Sequence, residues 1–197
     1  MRPFVIEPGQ SVDAPEDVVL TEDITVGDER LRKGRRLQVT DQPLLEQLTH
    51  PVHAIRLEAD DLHEDEAGGR LARAVAGQGL RVEGPSFSRY NLVATHKGLL
   101  RVDAGALLSL NLLPGVAIFT LEDRVAVLPG KIVAGVKVSP VAVKDATIQE
   151  AEAIAAASPV VEVLPFQAMR VGVVTTEGPD WRVRDAFQLS LGRKIGW

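Results

Sequence analysis

Between residues 80 and 143 the chain breaks into short apolar runs separated by Gly and Pro, and this spacing limits its possible folds more than any other feature. Strands are predicted at 80–83, 91–95, 99–102, 116–121, 125–128 and 132–138. The dipeptides between them are turn formers: Gly84-Pro85, Lys97-Gly98, Pro114-Gly115, Glu122-Asp123 and Pro129-Gly130. One helix, 103–112, interrupts the series. Strands this short cannot build a long open sheet, so 80–143 reads as a β-rich, barrel-sandwich-like unit. Pro129-Gly130 between two apolar strands predicts a type II turn with Gly130 at positive φ.

Residues 1–79 read as a small α+β unit. Short strands are expected at 17–20, 24–26 and 52–57, with a hairpin-like turn on Lys33-Gly34 inside 30–37. Thr40 or Asp41 is the expected cap of a short helix carrying Leu44, Leu45 and Leu48, with Pro43 in its first turn. A helix is predicted over 61–76, capped by Asp61. Acids at 64–66 sit at its N-terminal end and Arg70 and Arg73 towards its C-terminal end, as the helix dipole prefers. Gly77 and Gly79 stop it. Gly68-Gly69 is out of place there, since each costs about 1 kcal/mol relative to Ala. Either a neighbour packs closely at that point or the helix breaks. Residues 144–168 form a connector: a helix over 144–157 with Asp145 as cap, then a strand over 160–164. The fold class is α+β, mostly short-stranded β units with interspersed helices.

The stretch 169–178 reads as a buried strand ending in the turn Thr175-Thr176-Glu177-Gly178, followed by a helix over 181–194. Strand, polar turn and helix make the first unit of a nucleotide-type α/β domain. Residues 169–197 are thus expected to be the incomplete start of such a domain, and the chemistry to lie in a longer parent chain. An apolar strand of this kind needs a partner edge, so a homo-oligomer is expected.

Composition removes several classes of function. There is no Cys, hence no disulfide, thiolate metal site or Cys nucleophile. A formal net charge of −5 argues against a dedicated nucleic-acid binder. No signal peptide is evident and no run approaches the about 18 apolar residues of a membrane span, so the chain reads as cytoplasmic with no membrane partner. Arg30, Arg32, Lys33, Arg35 and Arg36 form a basic cluster around a Gly turn, and Asp60, Asp61, Glu64, Asp65 and Glu66 an acidic one. Both read as solvated, ion-paired surfaces. His63 beside Glu64, Asp65 and Glu66 suits helix capping better than metal binding, because consecutive helical side chains fan out by about 100°. The densest polar stretch of the β-rich unit holds Ser86, Ser88, Arg89, Asn91, His96 and Lys97, where Arg89 and Lys97 are candidates to meet an anion.

Residues 57–77, with their Asp-Leu-His-Glu-Asp-Glu core, together with Gly84-Pro-Ser-Phe-Ser-Arg-Tyr-Asn-Leu92, Lys97-Gly-Leu-Leu-Arg-Val-Asp103 and Leu128-Pro-Gly-Lys-Ile-Val-Ala-Gly-Val-Lys-Val138, resemble blocks of bacterial molybdopterin-binding proteins. Arg170-Val-Gly-Val-Val-Thr-Thr-Glu-Gly178 looks like the entry strand of their pterin-binding domain. The resemblance runs from about residue 16 onward and rests on several short blocks in one order. It implies a scaffold and dimerisation region linked to molybdenum-cofactor biosynthesis, not catalytic as it stands. It also implies molybdopterin or its nucleotide as ligand, held through Thr175, Thr176, Glu177 and Gly178. The rest of the pterin domain, its Gly-rich turn included, would lie beyond Trp197. The alternative is a stand-alone, non-enzymatic small-molecule-binding or adaptor module. The motif around Pro129-Gly130 is also similar to that of biotinyl and lipoyl carriers, but no carrier lysine motif is present.

Overall fold

The computed structural model describes residues 1–174, 176, 178 and 180–195. They form an α+β fold that separates into two compact units, Met1–Phe166 and Gln167–Trp197. In chain order the first unit contains β1 (Arg2–Ile6), β2 (Val18–Leu20), β3 (Ile24–Val26), β4 (Glu29–Leu31), α1 (Gln42–Leu45), β5 (Val52–Arg56), β6 (Asp61–His63), α2 (Glu64–Val75), β7 (Leu80–Ser86), β8 (Arg89–Ala94), β9 (Gly98–Val102), α3 (Ala104–Asn111), β10 (Val116–Thr120), β11 (Ala126–Val127), β12 (Ile132–Val138), β13 (Ala142–Lys144), α4 (Asp145–Ala157) and β14 (Val161–Pro165). The second unit contains α5 (Trp181–Ile195).

The strands make small antiparallel sheets. The first has the order β1-β5-β2, with β3 and β4 paired as a separate hairpin. Their inner faces bury Ile6, Val18, Leu20, Leu37, Leu45 and Val52 in one apolar cluster. A larger cluster lies beneath the sheets β10-β12-β8-β7 and β11-β9-β14. It joins Leu92, Leu100, Val136 and Val138 of the strands to Leu71 and Val75 of α2, Ile148 and Ala151 of α4, and Val161 and Val163 of β14. The sequence divisions 1–79, 80–143 and 144–168 therefore all contribute to that second core. Two-stranded β6–β13 links the halves, with His63 opposite Ala142, and Val19, Leu57, Val141 and Ala142 bury one another close by.

Helix α2 begins three residues later than the spacing of its charges suggests. Residues 61–63 are drawn into strand β6 by β13, about 80 positions downstream, so Asp61 does not cap the helix. The cap is His63, whose ring accepts a hydrogen bond from the Asp65 amide at 3.2 Å. In the same way Asp145 is the first helical residue of α4, preceded by Lys144, rather than its cap. Its carboxylate serves the helix pair instead. Arg70 donates to Asp145 Oδ1 at 2.6 Å and to both oxygens of Glu152, at 2.9 and 2.7 Å, fastening α2 to α4.

The Gly68-Gly69 pair is explained by Tyr90. A Cβ on Gly68 would stand 3.3 Å from the Tyr90 ring, and one on Gly69 3.0 Å from its hydroxyl oxygen. The ring thus lies directly on the helix backbone, and its hydroxyl donates to the Asp65 carbonyl at 2.9 Å. Burial raises the phenol's pKa. The roughly 1 kcal/mol helix penalty per Gly is offset by burying a large aromatic surface at contact distance.

The segment preceding α5 is not a strand. Residues 171–174 carry no ladder partner, and Val171, Val173 and Val174 are exposed. Among the described residues of this unit there is no other strand to pair with, and an apolar run forms a strand only where an edge accepts it. Helix α5 forms where expected, capped by Asp180, whose carboxylate accepts from the Arg182 and Val183 amides at 2.8 and 3.1 Å. Thr175 and Glu177 lie outside the described residues.

Two outcomes follow from these contacts. Gly130 has φ +82 with open space around its α-carbon, so Gly130→Val in denaturant melts is expected to cost about 1–3 kcal/mol through backbone strain alone. Arg70 holds the Glu152 carboxyl below its ordinary value, its hydrogen bonds being the largest cause. A depressed carboxyl stabilises the fold above its unfolded value of about 4.3 and ceases to do so as pH falls through the lower folded value. Arg70→Met should therefore lose about 1–2 kcal/mol at pH 7, with the gap to wild type closing towards pH 3 in urea melts.

Candidate functional site

The Arg-Lys-Gly run at 32–34 folds into a tight turn because Gly34 adopts φ +81. The turn is closed by Arg35 N–H donating to the Arg32 carbonyl at 3.1 Å and is tied to β2 by Gly34 N–H donating to the Leu20 carbonyl at 2.8 Å. Asp23 anchors it from the side. Its carboxylate accepts the Lys33 amide at 2.7 Å and pairs with Arg30. The Lys33 amide, then Arg30, holds the Asp23 carboxyl below its usual range. Arg35 points the other way and binds the buried Asp41 with two hydrogen bonds, so it belongs to the first core's edge rather than to this turn's open face.

Behind the turn stands the start of α2. The His63 Nδ1 accepts from the Asp65 amide, which leaves the proton on Nε2, and Nε2 donates to the Gly34 carbonyl at 2.8 Å. The next residue, Glu64, is only 7% exposed. Its amide donates to the Val141 carbonyl at 2.9 Å. No hydrogen bond or ion pair among the described residues reaches its carboxylate. That carboxylate rests against the glycine turn, so that a Cβ on Gly34 would stand 2.6 Å from its Oε1. As the first residue of a twelve-residue helix, Glu64 has its charge favoured by the positive end of the dipole.

Two more segments complete a cleft of about 670 Å³. One is the β7–β8 turn, where Phe87 and Ser88 both take positive φ, at 51 and 56°, and the Phe87 ring is 83% exposed. The other is the end of β12 with the residues after it, including Lys137, Ser139 and Val141. Arg30, Arg32, Lys33 and Lys137 line the cleft against two carboxylates, Asp23 and Glu64. Since Asp23 is already engaged by Arg30 and a backbone amide, the remaining cations carry surplus positive charge.

The residues singled out in the sequence fall in different places. Arg89 opens β8 next to Ser88 and pairs in register with Lys137, near the cleft. Lys97 follows the far end of the same strand, and β8 alone spans about 17 Å at about 3.3 Å per residue, so Arg89 and Lys97 do not converge on one anion. His96 lies beside Gly79, with Nδ1 3.2 Å from the Thr95 hydroxyl, remote along the strand from Ser86 and Ser88. Thr176 and Gly178 are exposed in the second unit. The basic cluster was visible as charge around a glycine turn. Glu64, Phe87 and Lys137 join the site only through the fold. Glu64 was hidden in an acidic run that any exposed helix start would show, and the other two lie far away in sequence.

The acidic cluster is ion-paired at its N-terminal end, where Asp60 and Asp61 are joined by Glu58. Glu58, Asp60 and Asp61 bring three carboxylates within 4.8 Å of one another. Lys144 Nζ lies 3.0, 2.8 and 3.0 Å from them, and the Met1 ammonium pairs with Glu58 and Asp61. Those cations supply the balancing charge. The bonds from Asp60, then Glu58 and Asp61, drive the Lys144 pKa upward. No family model matches this chain, and no curated protein or solved structure gives a significant match to it.

The contact between Gly34 and Glu64 yields a double-mutant test. Gly34→Ala is expected to destabilise by about 1–3 kcal/mol, from positive φ and from the approach to Oε1. Glu64→Ala in the same chain should relieve the second part, so the two losses should sum to more than that of the pair in denaturant melts. Strict additivity would show that the carboxylate does not press on the turn.

Proposed function

We propose that this chain is a scaffold and dimerisation region of a molybdopterin-binding-like protein, used in the biosynthesis or handling of the molybdenum cofactor and not catalytic in itself. One observation carries the reading. The blocks that resemble that family fall on α2, the β7–β8 hairpin, β9 and β12, and these elements put Leu71, Leu92, Leu100 and Val136 into a single core. Short matches in order gain weight when they describe one folded body. The cationic cleft adds support, because molybdopterin or its nucleotide is an anionic small molecule and the cleft's size suits such a ligand. Exposed Phe119, Leu128 and Ile132 on and beside β10 and β12 favour self-association.

A second reading, a stand-alone small-molecule-binding module, is favoured by the position of the cleft. Its described lining residues all belong to Met1–Phe166.

Incubating the pure chain with molybdopterin, MgATP and molybdate is expected to give no adenylylated or metal-loaded product, and turnover would overturn the non-catalytic assignment. Calorimetry with molybdopterin is expected to show weak, salt-sensitive binding on the order of millimolar, about −4 kcal/mol. Loss of that binding in a Lys33→Ala, Lys137→Ala variant assigns it to the cleft. Loss in Thr175→Val, Thr176→Val assigns it to the terminal turn. Sedimentation should show a dimer, and a monomer at every concentration would remove the dimerisation role.

A further inference from the structure

We propose that the cleft recognises a planar nitrogen heterocycle that carries two adjacent N–H donors on one edge and an anionic group at the other end. Glu64 is the reason for the donor edge. Glu64 is 7% exposed as a residue, and a largely buried acid whose carboxylate opens only towards the cleft is best satisfied by donors that enter there. The described residues supply it with none, and its residual exposure is into the cleft. A carboxylate offers two acceptor oxygens side by side, so its best complement is a pair of parallel N–H groups, as on an amidine or an amino-amide edge. A lone anion would be repelled there.

The anionic end follows from the rest of the lining. Arg32, Lys33 and Lys137 line the cleft and enter no ion pair within 4.0 Å among the described residues, Asp23 being engaged by Arg30. These groups suit a phosphate. Planarity follows from Phe87. A phenyl ring that is 83% exposed at the cleft, on a turn whose bulky residue sits at positive φ, has an open face on which a heterocycle can stack. Donor acceptance at depth, stacking beside it and cations around it describe a guanine-like or pterin-like ring with a phosphate. An adenine-like ring is disfavoured, because its N1 presents a lone pair where the carboxylate needs a proton.

This inference deepens the proposed function only in taking the same cleft as the ligand site, and its test separates the two. Calorimetry on the full chain would compare GMP, AMP and a pterin monophosphate. GMP is expected to bind at least tenfold more tightly than AMP. Glu64→Gln should bring the two within about twofold, since one acceptor is replaced by a donor. Phe87→Ala, on an exposed turn where a smaller side chain removes no packing, should weaken both nucleotides. Lys137→Ala should weaken both and flatten their salt dependence. Equal binding of GMP and AMP to the wild type would overturn the proposal. So would a GMP preference that survives in folded Glu64→Gln, or GMP affinity unchanged by Phe87→Ala and Lys137→Ala. GMP binding without pterin monophosphate binding would keep the recognition mode and remove the molybdopterin reading. The reverse order, with both rings preferred over AMP, supports the two together.

Discussion

One imidazole ties the glycine turn beside the first apolar cluster to the start of α2, which packs into the larger one. His63 donates from Nε2 to the Gly34 carbonyl and accepts at Nδ1 from the Asp65 amide. One side of the ring therefore grips a turn that hangs from β2, and the other satisfies an amide that helix α2 would otherwise leave open. Both contacts require the neutral ring with its proton on Nε2. Replacing the ring would free the glycine turn from the helix start, and the Glu64 carboxylate lies between those two parts.

The electrostatics of the cleft follow from that arrangement. Water would normally hydrate a carboxylate at the head of a helix, and the dipole would make it an inexpensive surface group. Here the residue packs against Gly34 with its amide held by the Val141 carbonyl, so its carboxylate is left to the helix dipole and to the cations that line the same cleft. Of the cations that line the cleft, Arg30 stands on β4 and Lys137 on β12, while Arg32 and Lys33 belong to the glycine turn. A cleft with separated charges of both signs is suited to ligands that themselves separate donor and anion.

Much of the fold could be read along the chain because its decisive signals are local. The helix expected over 103–112 forms as α3, Gly130 takes positive φ after Pro129, and α5 occupies its predicted span. Contacts between distant residues decided the rest. Residues 61–63 look helical by charge and become a strand because Ala142 to Lys144 pair with them. Gly68-Gly69 looks like a helix fault until Tyr90 is placed on it. The apolar run at 171–174 looks like a strand, and no edge meets it among the described residues. In the site, the basic turn could be read and the buried acid could not, since burial is a property of what folds over a residue.

Tyr90 has a further effect through its position one helical turn from Glu64. Because the ring touches the α2 backbone at Gly68, it acts as a spacer gauge between helix and sheet, setting their separation to the thickness of one aromatic ring. A Cβ at position 68 would stand 3.3 Å from the ring, so ring or helix would have to give by a few tenths of an ångström. The depth of the cleft is thus machined by a pair of hydrogens on two glycines, residues that no ligand would ever contact.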